Sequence, residues 1–135
     1  PAGLPAAVAG RWLAREAWPD RGGQPRLRYW RGPQREVFPD TAQARFSSSM
    51  WRVSARSSRA GYRLEGPSLE APAGIISEPV LPGSIQVPPD GQPIVTLHDG
   101  PTVGGYAKLG FIEPEDLSRL VQVPAGHAVC FAPRA

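Results

Sequence analysis

Six side chains and one pair of glycines carry most of the chemistry this sequence can offer. Gln86 and Gln92 each present an amide that both donates and accepts, which suits a ligand that is itself an amide. Gly104-Gly105 can bring backbone N–H groups close to a bound atom, with Tyr106 beside them and Lys108 or Arg63 as the positive charge. Donors arranged in advance are what polarising a carbonyl requires. A planar N–C=O group such as a lactam or a urea is the matching substrate class, and Tyr62 or Tyr106 would wall it or hydrogen-bond to it.

Each of these residues also has a plainer role. Arg63 and Glu65 lie two apart, so on a strand they share a face and can form a surface ion pair. Gln86 points opposite to Ile85 and Val87, toward either solvent or a polar barrel interior. Asp90 and Gly91 read as turn residues, and Lys108 is as readily a solvated strand residue as a ligand contact. The stretch from Gly100 to Lys108 comes nearest a phosphate loop, but Tyr106 stands where the lysine should follow Gly105, and a glycine turn between strands is the simpler reading. The signatures G-x-S-x-G, G-x-G-x-x-G and H-E-x-x-H are absent. His98 and His127 have no neighbouring ligands in sequence. Cys130 is the single cysteine, which excludes an internal disulfide framework and a Cys-based zinc cluster, and a cytoplasmic setting is the simplest expectation.

Short strands must position these groups, because 17 prolines and 15 glycines in 135 residues leave little room for long helices. Leu27 to Trp30, Trp51 to Ala55, Ile75-Ile76, Ser84 to Val87, Pro93 to His98, Tyr106 to Ile112 and Ala128 to Phe131 read as strands. Pro88-Pro89-Asp90-Gly91 predicts a hairpin turn, with Pro fixing φ near −65° and Gly supplying a positive φ. A short helix begins at Asp40 or Thr41 as its cap, and a second runs from Pro114 to about Val121 with Glu115 and Asp116 at its positive end. The expectation is a mainly all-β closed barrel with two short helices over residues 26–135, preceded by a joining segment at 1–25. The expected core comprises Val53, Ile85, Val87, Ile94, Val95, Leu97, Leu109, Ile112, Leu120, Val129 and Phe131, with Trp51 also placed inside.

At 41% hydrophobic and 20% charged the chain suits one globular domain, and no apolar run approaches the roughly 20 residues that span a bilayer. The net charge of +3 conceals a division in which residues 1–67 carry +7 and the remainder −4. The arginines stand singly among Trp, Pro and Gly, without a basic run, so a nucleic-acid partner is not expected.

Three dense segments go beyond what a plain barrel asks of its loops. They are Ser58-Arg-Ala-Gly-Tyr-Arg-Leu-Glu-Gly-Pro67, Ser77-Glu-Pro79 with Gly83 to Pro93, and Thr102 to Lys108. They resemble S-D-R-M-G-Y-R-L-E-G-P, S-E-P-V-x-x-G-x-I-Q-V-P-x-D-G-Q-P and T-T-G-G-Y-P-K of the family of 5-oxoprolinase C subunits. That family is also described as biotin-dependent carboxyltransferase or allophanate hydrolase subunit 2, and the resemblance covers about residues 27–132. Departures are local: Ser58 stands for the family's Asp, Ala60 for Met, Val103 for Thr and Ala107 for Pro, and Asp99-Gly100-Pro101 replaces a stretch that usually carries an Arg.

The resemblance implies a cyclophilin-like barrel and a family length about twice that of this chain, which would correspond to the C-terminal half of a subunit. It implies ATP-dependent opening of a lactam together with partner subunits, the nucleotide being held by the complex and not by this chain. The alternative it carries is carboxyl transfer to urea or a related amide from carboxybiotin. A third is a regulatory protein that antagonises a histidine-kinase inhibitor by docking a partner, with Trp12, Trp18, Trp30 and Trp51 as candidate contacts. Under the leading reading Arg63, Gln86, Gln92, Gly104, Gly105, Tyr106 and Lys108 bind substrate, and Arg63, Gln86, Gln92, Tyr106 and Lys108 should converge on one concave surface, where the hairpin allows Gln86 and Gln92 to meet.

Overall fold

The computed structural model describes residues 24–134. The joining segment expected at 1–25, with Trp12 and Trp18, therefore lies almost wholly outside the described residues. In chain order the elements are β1 (Arg26–Arg31), a 3-10 turn (Arg35–Val37), α1 (Asp40–Ser48), β2 (Trp51–Val53), β3 (Gly61–Glu65), β4 (Glu78–Pro79) and β5 (Ser84–Val87). They continue with β6 (Ile94–Thr96), β7 (Val103–Gly104), β8 (Ala107–Ile112), α2 (Pro114–Leu120) and β9 (Ala128–Pro133).

Seven strands close into a barrel in the order β1-β8-β5-β6-β3-β2-β9. Neighbours pair antiparallel except where β9 meets β1 in parallel and seals the barrel. β4 and β7 form a separate two-stranded ribbon. The expected fold class is thus observed, two short helices included.

Alternation decides what fills the interior. Trp51 and Val53 on β2, Leu64 on β3, Ile85 and Val87 on β5 and Val95 on β6 are all but fully buried, as are Val129 and Phe131 on β9. Phe46 projects from α1 into this core, stacked on Phe131 at 4.6 Å and edge-on to Tyr29 at 5.2 Å between centroids. The Trp51 indole packs at its side and donates to the Phe46 carbonyl at 3.0 Å. Of the expected core, Ile94 alone is only partly buried, because its neighbour Val95 takes the inward position and alternation turns Ile94 out.

The Pro88-to-Gly91 turn forms as expected: the Gly91 N–H donates to the Pro88 carbonyl at 2.9 Å and Gly91 has φ +80°. Pro114 opens α2 at its first positions, also as expected. Three expectations are corrected. α1 is capped by neither Asp40 nor Thr41; Pro39 is the cap, its carbonyl receiving the Ala42 and Gln43 N–H groups, and no side-chain cap bond forms. Ile75-Ile76 is not a strand; the ladder there is made by Glu78-Pro79, whose partner is β7. β3 arises where the sequence had suggested only a polar glycine-rich segment.

Asp116 fastens α2 to β1. Its buried carboxylate accepts from the Arg28 backbone N–H at 2.6 Å, from Arg28 Nε and Nη2 at 2.9 and 3.1 Å, and from Arg119 Nη1 at 3.2 Å. Burial by itself would raise this carboxyl's pKa, but the Arg28 bonds and charge, with the Arg119 bond, outweigh it and hold the group below its usual range. Among the described residues no helix is long and apolar enough to cross a membrane.

Candidate active site

The ladder registers place four residues in one row across the outside of the barrel. Arg63 on β3 faces Ile94 on β6, Ile94 faces Gln86 on β5, and Gln86 faces Lys108 on β8. Directly paired residues share a face, so the row stands opposite to Leu64, Val95, Ile85 and Val87, which fill the core. A β-bulge between Ile85 and Gln86 in the β5–β8 register makes the last pairing possible: Ile85 faces Gly110 whereas Gln86 faces Lys108.

Over this row the loop through Pro101, Val103, Gly104, Gly105 and Tyr106 encloses a cavity of about 290 Å³, whose barrel side is Gly61, Arg63, Gln86, Ile94 and Thr96. Ser58 and Ala60 complete its rim, so the position at which the resembled family carries Asp lies at the edge of the cavity. The Gln86 amide is buried and donates to Thr96 Oγ1 at 2.7 Å. A Cβ on Gly104 would lie 3.0 Å from Gln86 Oε1 and 3.1 Å from a Val80 methyl, so glycine is what lets the ribbon backbone close over the amide. The Arg63 side chain is exposed and takes no part in any ion pair among the described residues; Glu65 likewise, so the surface pair offered as the plainer role of Arg63 is not formed.

Five of the seven candidate residues, Arg63, Gln86, Gly104, Gly105 and Tyr106, therefore line one cavity. Gln92 does not. Its amide accepts from the Gly66 N–H at 2.9 Å and donates to the Gly66 carbonyl at 3.1 Å, bracing the hairpin against the end of β3, and it does not meet Gln86. Lys108 shares the row, but its ammonium is buried against Glu78 Oε2 and is not part of the cavity lining. Gln34 joins that pair, donating to the same Glu78 oxygen at 2.9 Å and accepting from the Lys108 N–H at 2.9 Å. With Lys108 spent in this way, the Gly100-to-Lys108 stretch is a ribbon turn and no phosphate cradle. Glu78 and Gln34 escaped the residue-level reading: Glu78 appeared only inside Ser-Glu-Pro, and nothing local marks its partner 30 positions on.

A second, larger cleft of about 510 Å³ opens at one barrel end between the Ser54–Tyr62 and Val121–Ala125 loops. Its floor is apolar, and the Tyr62 hydroxyl is already donated to the Val121 and Val123 carbonyls at 3.0 and 3.3 Å. Burial raises the Tyr62 pKa. The smaller cavity is better provided for polar recognition, because an amide, a hydroxyl, a phenol and a guanidinium converge on it. Among the described residues there is no group of three or more potential metal ligands.

The fold and the site together define a closed barrel that carries a walled, amide-lined cavity on its outer face. The chain belongs to the family described as carboxyltransferase domain, subdomain A and B, whose model matches residues 2–133. It is 39% identical over 108 residues to the 5-oxoprolinase C subunit of Escherichia coli (strain K12), an alignment that takes in 78% of this chain and 35% of that protein. The crystal structure of TTHA0988 is 38% identical with a TM-score of 0.72, covering 84% of this chain and 23% of the other. The Kluyveromyces lactis urea carboxylase is 22% identical with a TM-score of 0.76 over 87% of this chain and 12% of that one, a likeness of fold. The matched part of this chain thus spans about a third of the length of that curated relative.

Proposed function

We propose that this chain contributes the amide-binding part of a 5-oxoprolinase-type subunit, acting in the cytoplasm with partner subunits on a small lactam. The observation that carries this reading is the outer row: Gln86 is fixed by Thr96 and backed by the Gly104 main chain, and Arg63, which makes no ion pair among the described residues, lines the same cavity. A lactam presents one carbonyl and one N–H side by side, and a glutamine amide answers both. Arg63 supplies charge at the carbonyl or at a carboxylate on the ring, where charge-assisted bonds are about twice as strong as neutral ones. The relatives named as a subunit of 5-oxoprolinase support the reading.

The chain's one lysine, Lys108, is committed to Glu78 and is not free to meet a phosphate. In this reading activation with ATP is the work of the whole complex, so this chain alone should release no phosphate in response to 5-oxoproline. Carboxyl transfer to a urea-like amide remains the second reading, favoured by the family's description and served by the same carbonyl-binding row.

The test is titration of the chain with 5-oxoproline, followed by amide chemical shifts. Shifts should centre on Gln86, Gly104 and Gly105, and Arg63→Ala should weaken binding about tenfold or more, as loss of a charged contact of roughly 1.5–3 kcal/mol implies, without altering stability. Urea as competitor separates the two substrate readings. Shifts confined to the barrel-end cleft, or binding indifferent to Arg63→Ala, would refute the site.

A further inference from the structure

The ribbon of β4 and β7 lies against the barrel without joining it. Its main-chain bonds close on itself: beyond the β4–β7 ladder, the Val80 N–H donates to the Thr102 carbonyl at 2.9 Å and the Ile75 N–H to the Gly105 carbonyl at 2.8 Å. Among the described residues its polar attachment to the barrel wall is the Glu78 carboxylate, gripped by Lys108 Nζ and Gln34 Nε2. The Lys108 side chain is only 4% exposed, and its ammonium is paired with that carboxylate. The ribbon's outer side is apolar and open, with Ile76 91% and Val103 59% exposed, so its apolar hold is limited to the inner side, where Val80 is buried and Ile75 packs on the core. Yet Gly104, which stands directly opposite Glu78 in the ladder, is the residue whose main chain seats on the Gln86 amide.

We propose that Glu78 is a positioning residue: through Lys108 and Gln34 it sets the Gly104–Gly105 main chain at its height over Gln86, so that the cavity has its binding shape only while the Glu78–Lys108 pair is made. The charge on Lys108 then serves as an anchor rather than as a ligand contact. A buried lysine suits this task because, among the described residues, Glu78 is its one charged partner, which makes the ribbon's seat specific. The cavity's role as binding site is taken from the proposed function; the seating of the ribbon is independent of it.

The experiment measures amide hydrogen exchange in the chain and in Glu78→Gln, Glu78→Asp and Lys108→Met. In Glu78→Gln and Lys108→Met the Ile75 and Val80 amides should exchange about tenfold faster or more, while the barrel amides of Leu64 and Ile112, bonded to Pro93 and Gly83, stay within about twofold. Glu78→Asp keeps the charge and should restore most of the protection. Binding of 5-oxoproline should fall about tenfold in Glu78→Gln and recover in Glu78→Asp, at unchanged barrel exchange. Equal acceleration of ribbon and barrel, no acceleration in the ribbon, or a loosened ribbon with unaltered binding would each overturn the proposal. If the unmodified chain fails to bind 5-oxoproline, the substrate reading is what fails, and exchange alone then decides whether Glu78 seats the ribbon.

Discussion

Replacing Asp116 with alanine should be the most damaging single change on the surface of contact between α2 and the barrel. The carboxylate accepts four hydrogen bonds, all from Arg28 and Arg119. They do not count equally. The Arg28 side chain is 42% exposed and can rehydrate when its partner is lost, so its two side-chain bonds are discounted. The Arg28 backbone N–H and the Arg119 guanidinium, whose side chain is 18% exposed, have less such recourse, and Arg119 Nε already lacks a partner. Two charge-assisted bonds at about 1.5–3 kcal/mol each suggest a loss of roughly 3–5 kcal/mol, the range found when one member of a buried ionic cluster is removed. That is a large part of the roughly 5–15 kcal/mol available to a domain. Urea unfolding followed by the fluorescence of buried Trp51 measures it. Asp116→Asn keeps the shape and one acceptor and should cost less, and Glu115→Ala, whose side chain is 85% exposed, should cost under about 0.5 kcal/mol. Because the Asp116 carboxyl titrates below its unfolded value, its stabilisation is complete above about pH 4 and is lost as pH falls through the folded pKa, a loss that Asp116→Asn should not show. A cost below about 1 kcal/mol for Asp116→Ala, or identical acid profiles, would refute the reasoning.

Three further outcomes are expected. Burial raises the pKa of Tyr62 and Tyr29, so stability present below about pH 10 should be lost as pH rises through the folded values; Tyr62→Phe should remove part of that alkaline loss and leave the Tyr29 part, as pH-dependent melting would show. Gly66→Ala would bring a Cβ within 2.6 Å of the Trp51 ring, which its bond to Phe46 prevents from moving aside, so a cost of about 1–3 kcal/mol with altered tryptophan emission should follow. Gly91 and Gly126 both have positive φ, but a Cβ at Gly91 would also lie 2.2 Å from Ser68 Oγ, whereas Gly126 has open space; Gly126→Ala should cost about 1–2 kcal/mol, the backbone strain alone, and Gly91→Ala clearly more, which denaturant titration of the two variants resolves.

What could be read in advance was what is encoded locally. Pro88-Pro89-Asp90-Gly91 specifies its own backbone angles, and Pro114 with two following acids specifies a helix start, so both formed where expected. Ile75-Ile76 misled because an apolar pair signals burial and not pairing; Ile75 packs on the core while Ile76 is open, and neither finds a ladder neighbour. β3 was hidden by the opposite error, since Gly61 and Gly66 at its margins speak against a strand until one sees that Gly61 crosses beside Ile94 and Gly66 under Trp51. The candidate site divided in the same manner. Parity along a strand rightly kept Gln86 apart from Ile85 and Val87, but a glutamine amide in a hairpin serves structure as well as substrate, and only the three-dimensional neighbour, Gly66, shows that Gln92 does the former.

The position of Lys108 depends on the bulge. In β8, Ala107 and Leu109 are buried on one side of it, and Ile112 on the other, so the inward face changes parity between Leu109 and Gly110. Extending the Ser84–Phe111 and Ile85–Gly110 register without the bulge would set Gln86 against Leu109 and Val87 against Lys108, driving a charged side chain toward the core face and an aliphatic one toward the cavity. One extra residue avoids both. Gly110 makes the close passage possible, since a Cβ there would stand 2.3 Å from the Trp30 carbonyl oxygen of β1. The lysine is thereby delivered to the outer row, where Glu78 can meet it, and the ribbon that closes the cavity is held to a strand whose inner face remains apolar throughout. The local irregularity of the barrel and the polar chemistry on its outside are therefore one arrangement, in which the bulge supplies the parity, the buried pair supplies the seat, and the glycines supply the room.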